Sequence, residues 1–113
     1  MSDSIVQNVL IEEFNRSQEM LKIFERELEN YPKGRIYVRN IKGQLYVYRS
    51  VRVKNKVNSL YLGKPEHLDL SQIKLMTDKR DNIKLLISKT KKELIEITRY
   101  LNRVGVKTSE FID

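Results

Sequence analysis

Apolar side chains recur at helical spacing towards both ends of the chain. In the first segment, steps of four and three residues alternate through Leu10, Phe14, Ser17, Leu21, Phe24, Leu28 and Tyr31, of which Ser17 is the one polar interruption. In the last segment, the same steps run through Ile83, Ile87, Thr90, Leu94, Ile97, Leu101 and Val104. Heptad-like stripes of this kind are typical of amphipathic helices that pack along one face. The pattern predicts two long helices, over residues 4–31 and 69–104.

The flanking residues favour these helix bounds. Ser4 and Gln7 have the spacing of a capping box, and Pro32 is expected to end the first helix. Asp69 or Ser71 can cap the second helix. Gly105 suits the position after that helix, because glycine readily adopts positive φ. Residues 105–113 then form a predicted tail.

Between the two helical patterns, the chain is rich in β-branched and aromatic residues. Three short runs, over residues 35–41, 44–53 and 57–62, are separated by turn signals at 42–43 and 54–56. Short connections between such runs predict an antiparallel β-meander over residues 34–63. A sheet of three short strands is marginal alone, so it is expected to pack on the helix ends.

The predicted fold is therefore α+β. It is a long antiparallel helical hairpin, coiled-coil-like, with a three-stranded antiparallel β-meander inserted between the helices. A length of 113 residues fits one domain, 1–113. The stripes could instead pair with a second copy of the chain, which leaves a homodimer through the helical heptads open.

Charge is distributed unevenly along the chain, which has a formal net charge of +7. Residues 1–31 contain seven acids and three bases, whereas residues 32–64 contain nine bases and no acid. The excess positive charge thus coincides with the predicted meander. A contiguous basic segment of this kind is typical of a surface that binds an anionic partner.

Alternation along the strands places aromatic and basic side chains together. Tyr46, Tyr48 and Arg52 share one face of the second strand, and Arg35, Tyr37 and Arg39 share one face of the first. If these faces coincide, lysine and arginine can neutralise phosphates while tyrosines stack on exposed bases. The candidate nucleic-acid-binding residues are Lys33, Arg35, Tyr37, Arg39, Lys42, Tyr46, Tyr48, Arg49, Arg52, Lys54 and Lys56.

Two other interpretations of the same residues stay open. Tyrosine is a good strand former, and Lys and Arg protect exposed sheet edges, so the segment could be a charged, solvated sheet. The basic face could also bind an acidic protein surface.

Motifs for catalysis, cofactors and metals are missing from the sequence. There is no cysteine, and His67 is the only histidine, which rules out the usual zinc-ligand sets. Carboxylate pairs such as Glu93 and Glu96 are typical of solvated helical faces, and no catalytic Ser motif or glycine-rich phosphate loop occurs. We expect a non-enzymatic, cytoplasmic protein without a cofactor, a metal or a membrane span.

A series of short motifs in the middle segment resembles a pattern found in other proteins. The motifs are Lys33-Gly34, Ile41-Lys42-Gly43, Tyr46-Val47-Tyr48-Arg49, Lys56-Val57, Ser59 and Tyr61-Leu62-Gly63. The series resembles a pattern in small uncharacterised prokaryotic proteins, many from phage or mobile DNA, and a similar stretch opens some transposases. It covers about a third of the chain and implies a β-meander followed by a long charged helix. Residues 49–54 replace the glycine-containing second turn of that pattern.

These observations favour a nucleic-acid-binding protein, for DNA or RNA, that contacts the phosphate backbone through the basic meander. The alternative is a protein that binds and inhibits a nucleic-acid enzyme, in the manner of anti-CRISPR proteins, or an adaptor for such an enzyme. An architectural coiled-coil dimer is a third interpretation.

Overall fold

The computed structural model describes the backbone of residues 2–108 and the side chains of residues 5–108. In chain order, the elements are α1 (Ser2–Leu28), β1 (Arg35–Ile41), β2 (Gln44–Val53), β3 (Lys56–Gly63), a short 3₁₀ helix (Pro65–His67) and α2 (Leu70–Arg103). Two helices with a three-stranded antiparallel sheet between them confirm the predicted α+β class and its β-meander. The coiled-coil character of the helices stays a prediction.

The chain divides into two compact units. One comprises residues 1–29 and 82–113, and the other comprises residues 30–81. The first unit therefore contains α1 and most of α2, whereas the second contains the sheet and the first turns of α2. The prediction of a single domain stays a prediction.

In the first unit, the buried residues all lie on the predicted stripes, although Val104, the last stripe position, is 38% exposed. Phe14 and Ser17 of α1 are buried, as are Ile83, Thr90 and Leu101 of α2. The Thr90 hydroxyl donates a hydrogen bond of 2.8 Å to the carbonyl of Leu86, one turn earlier, so its burial leaves no unsatisfied donor. The stripes thus supply the core of this unit.

The bounds of α1 differ from the predicted ones. The helix begins at Ser2, so Ser4 lies inside it and its prediction as the N-cap is wrong. The helix ends at Leu28 rather than at Tyr31. A proline ring clashes with the carbonyl four residues earlier, and for Pro32 that carbonyl belongs to Leu28.

The N-terminus of α2 matches one of the two predicted caps. Asp69 lies immediately before the helix, and its Oδ1 accepts a hydrogen bond of 3.0 Å from the backbone N–H of Gln72. This bond satisfies one of the free donors of the first turn. Asp69 is therefore the cap, and Ser71 lies inside the helix.

The C-terminus of α2 closes with the predicted glycine. The backbone N–H of Val106 donates to the carbonyl of Leu101 (2.8 Å), and that of Gly105 donates to the carbonyl of Asn102 (3.2 Å). With φ of +90° at Gly105, these bonds form a Schellman motif. The predicted tail lies partly outside the described residues, which end at residue 108.

The sheet is a meander with strand order β1-β2-β3. Lys42 and Gly43 form the first turn with φ of +53° and +84°, and Lys54 and Asn55 form the second with φ of +48° and +68°. Positive φ at both central residues is the requirement of a type I′ turn, whose twist matches that of the flanking strands. The second turn therefore keeps a two-residue hairpin geometry without glycine.

Candidate nucleic-acid interface

The pairing register brings the predicted tyrosine and arginine faces together. Tyr37 lies opposite Tyr48, and Arg39 lies opposite Tyr46. In the neighbouring pair of strands, Tyr48 lies opposite Tyr61. Because residues two apart share a face, one side of the sheet collects these residues, and we call it the outer face. Its members are Arg35, Tyr37, Arg39, Ile41, Gln44, Tyr46, Tyr48, Ser50, Arg52, Val57, Ser59 and Tyr61.

Four tyrosines of the outer face form a continuous aromatic cluster. The rings of Tyr37 and Tyr48 stack with centroids 5.4 Å apart and an interplanar angle of 15°. Tyr61 contacts Tyr48 at 5.5 Å and Tyr46 at 6.1 Å, with tilted rings. These spacings lie in the range preferred by interacting aromatic pairs. The tyrosine cluster (Tyr37, Tyr46, Tyr48 and Tyr61) thus crosses all three strands.

Polar groups orient part of this cluster. The Tyr37 hydroxyl donates a hydrogen bond of 2.8 Å to Oγ of Ser59, which ties the first strand to the third. The guanidinium of Arg39 lies 6.0 Å from the centroid of the Tyr48 ring, at the outer limit of a cation–π contact. The cluster is therefore pre-arranged before any partner binds.

The arginines of the outer face are exposed and available. Arg35, Arg39 and Arg52 are all exposed. In the described part of the chain, the ion pairs are Arg16–Glu13 and Arg80–Asp81, and neither involves the outer face. The three outer-face guanidinium groups can therefore bind an external anion without breaking a salt bridge.

The candidate lysines are exposed but dispersed. Lys42 lies in the β1–β2 turn and Lys54 in the β2–β3 turn, at opposite ends of the ten-residue strand β2. At ~3.3 Å per residue these turns are about 30 Å apart. Lys33 precedes β1 and Lys56 begins β3. The lysines therefore extend the basic surface at its ends rather than joining the tyrosine cluster.

Two candidates lie on the opposite side of the sheet. Lys56 is one, because it pairs with Val53, the neighbour of the outer-face residue Arg52, and Arg49 is the other. It lies opposite Ile36, whose neighbours Arg35 and Tyr37 belong to the outer face. Its Nε is buried and has no hydrogen-bond partner. Arg49 therefore does not belong to the outer-face interface.

Sequence reasoning missed two members of the site, Tyr61 and Ser59. Tyr61 is 55% exposed, which makes it a prominent ring of the cluster. The signal that could have found them is the period of two through Val57, Ser59 and Tyr61, which places all three on one face of the third strand.

The described residues show no sign of a metal centre or a membrane span. No group of three or more His, Cys, Asp or Glu side chains among them could hold a metal ion. His67 is exposed in the 3₁₀ helix, where its backbone N–H donates to the carbonyl of Lys64. None of the described helices is long and apolar enough to cross a membrane.

Comparison of the chain with protein-family models, with curated proteins and with solved structures found no match.

Proposed function

We propose that this protein is a non-enzymatic nucleic-acid-binding protein that binds single strands of DNA or RNA on the outer face of its sheet. One observation supports this most directly. An aromatic cluster of four tyrosines is accompanied on the same face by three exposed arginines without salt-bridge partners. Base stacking on aromatic rings combined with phosphate neutralisation is the usual basis of single-strand binding.

The aromatic component favours single strands over duplexes. In a duplex the faces of the bases are stacked on each other, so a ring on a protein surface cannot reach them without unstacking. Bases of single strands can splay out and stack on tyrosine. Tyr61, which is 55% exposed, offers the most accessible ring for such a base.

The electrostatic component of the proposed binding does not depend on the nucleotide sequence. Residues 32–64 contain nine bases and no acid, so no carboxylate of this segment repels a phosphate backbone. Each arginine that neutralises a phosphate releases condensed counterions, and this release is the source of salt-dependent affinity. The proposal therefore includes no base-specific recognition.

A salt titration tests this proposal. Fluorescence anisotropy with a labelled single-stranded oligonucleotide, at several salt concentrations, gives the slope of log K against log salt. For single strands the slope is about −0.7 per phosphate, so three engaged arginines predict a slope of about −2. A duplex of equal length should bind several-fold more weakly. Absence of binding at low salt, or a slope near zero, contradicts nucleic-acid binding, and equal affinity for the duplex contradicts the single-strand preference.

Matched arginine variants locate the interface. Arg39→Ala and Arg52→Ala should each make the slope shallower by about 0.7 and weaken binding to all sequences alike. The control is Arg26→Ala, because Arg26 is also exposed but lies on α1. Equal losses in all three variants would mean that affinity depends on net charge rather than on the outer face.

An acidic protein surface is the competing partner, and a pull-down separates the two. If nucleic acid is the partner, material that co-purifies with the tagged chain should disappear after nuclease treatment of the lysate. A protein that stays bound after nuclease treatment, and is lost in Arg39→Ala, would replace nucleic acid as the partner.

A further inference from the structure

Positive charge on the outer face is concentrated along β1, which is one edge strand of the sheet. Arg35 and Arg39 both lie on the outer face of this strand, and both are exposed. Two more exposed bases flank the strand, since Lys33 precedes it by two residues and Lys42 follows it directly. We call these four residues the basic edge. It follows the seven residues of β1, which span roughly 20 Å.

The third strand, at the other edge of the sheet, is uncharged on its outer face. Val57, Ser59 and Tyr61 are its outer-face residues, and all three are exposed. The one base of β3, Lys56, lies on the opposite side of the sheet. Neighbouring strands are ~4.8 Å apart, so about 10 Å separates the two edges. The outer face is therefore basic at one edge, whereas at the other it presents a valine, a serine and a tyrosine ring.

The tyrosine cluster continues this division into the middle of the sheet. Although Tyr37 belongs to β1, its ring stacks on Tyr48 of β2, and its hydroxyl donates a hydrogen bond to Ser59 of β3. The Tyr37 side chain therefore extends from the basic edge towards β3. The guanidinium of Arg39 lies 6.0 Å from the centroid of the Tyr48 ring, so the charged and aromatic parts of the face adjoin there.

We propose that a bound single strand lies with its sugar–phosphate backbone along the basic edge and with its bases directed towards β3. This orientation rests on the proposed function and adds a binding mode to it. Phosphates then meet lysine and arginine, and bases meet aromatic rings. The reverse orientation would place the phosphates over Val57, Ser59 and Tyr61, which carry no charge to neutralise them.

Arg52 is the outer-face arginine that does not lie on β1. It belongs to the central strand, where it pairs with Val57. It is also two residues beyond Ser50, the partner of Arg35, so it lies at the end of the sheet where β1 begins. Arg52 therefore continues the basic edge for a backbone that leaves β1 at this end.

Charges added at the two edges test the orientation, with a labelled oligothymidylate as the probe. Ile41 lies on the outer face of β1 and is 42% exposed, so Ile41→Lys extends the basic edge. The slope of log K against log salt should steepen by about 0.7 in this variant. Ser59→Lys adds the same charge on β3 and should have the slope of Ser59→Ala. The alanine variant is the matched control, because it also lacks the hydrogen bond from Tyr37.

A strand without bases tests the two parts of the face separately. An abasic oligonucleotide of equal length keeps the phosphates of oligothymidylate but has no rings to stack. Arg39→Ala should weaken binding of both strands by the same factor, because Arg39 contacts the backbone. Tyr61→Ala should weaken binding of oligothymidylate at least about fivefold and leave binding of the abasic strand unchanged.

Three results would overturn the orientation even if oligothymidylate binds the original chain. They are a steeper slope in Ser59→Lys than in Ser59→Ala, an unchanged slope in Ile41→Lys, and an equal loss of both strands in Tyr61→Ala. The first and third would place phosphates at β3. Absence of oligothymidylate binding by the original chain would overturn the proposed function and the orientation with it, so the two failures are distinguishable.

Discussion

At the scale of single residues, Gly34 is the glycine with the least freedom to change. Its φ is +100°, and a Cβ built there would lie 2.3 Å from the carbonyl oxygen of Ser50 and 2.9 Å from Cγ2 of Val51. The left-handed region alone costs a non-glycine residue about 1–2 kcal/mol, and overpacking costs about 1–3 kcal/mol more. The close approach to β2 therefore adds to the cost of the backbone conformation.

We predict that Gly34→Ala lowers the free energy of unfolding by about 2–4 kcal/mol, measured by urea denaturation. The control is Gly43→Ala, where φ is +84° but no atom lies within 4 Å of the added Cβ. That variant should lose only about 1 kcal/mol. Equal losses at the two glycines would show that the contact with Ser50 has no effect.

Tyr61 allows the stacking part of the proposed function to be tested at one side chain. Tyr61→Ala should weaken binding of a single-stranded oligonucleotide by about 1–3 kcal/mol, because the alanine offers no ring to a base. Tyr61→Phe keeps the ring and should bind within about twofold of the original chain. Anisotropy titrations at one salt concentration measure both. If the phenylalanine variant loses as much as the alanine variant, the hydroxyl rather than the ring makes the contact.

At the scale of elements, periodicity was the strongest predictor. The stripe positions Phe14, Ile83 and Leu101 are buried in the structure because a helix places residues three and four apart on one face. The N-terminal bound of α1 could not be predicted equally well, since the Ser4–Gln7 spacing of a capping box also occurs inside helices. The early end of α1 could have been predicted, because the clash from Pro32 acts four residues upstream.

The conformation of the β2–β3 turn lowers the stability of the fold, and two substitutions could relieve this cost. Lys54 and Asn55 both have positive φ, which favours Asn-Gly over Lys-Asn at these two positions. We predict that the double variant Lys54→Asn, Asn55→Gly raises the free energy of unfolding by about 1 kcal/mol. The urea midpoint should rise without a change in the slope of the transition.

A neighbouring lysine controls for the loss of charge in that variant. Lys56 begins β3 and is not among the residues with positive φ, so Lys56→Asn removes a charge without relieving the turn. It should leave the urea midpoint unchanged or lower it slightly. A gain equal to that of the double variant would mean that charge repulsion, not turn geometry, limits stability.

At the scale of the whole molecule, the sequence could predict the register of the strands but not the contacts of Arg80. Alternation predicts which residues of one strand share a face, but the coincidence of the tyrosine and arginine faces depends on the register between strands. The short turns made that register predictable, because a two-residue hairpin fixes it. Arg80 donates hydrogen bonds to the carbonyls of Pro32 and Gly34, which are 48 and 46 positions earlier in the chain. No local sequence pattern predicts contacts over such distances.

The burial of stripe residues bears on the association state. Five stripe positions, Phe14, Ser17, Ile83, Thr90 and Leu101, are already buried within a single chain, so these five are not free to pack against a second copy. A homodimer through the heptads would have to break this packing first. We therefore predict a monomer, with a mass of 13.5 kDa.

Light scattering over about a hundredfold range of concentration checks this prediction, since a dimer would form by mass action as the concentration rises. The measurement belongs at about 0.15 M salt, where the mutual repulsion of molecules with a net charge of +7 is screened and cannot mimic a monomer. A constant mass of 13.5 kDa would confirm that one chain provides its own helical core. A rise to twice that mass would contradict the monomer and favour a homodimer.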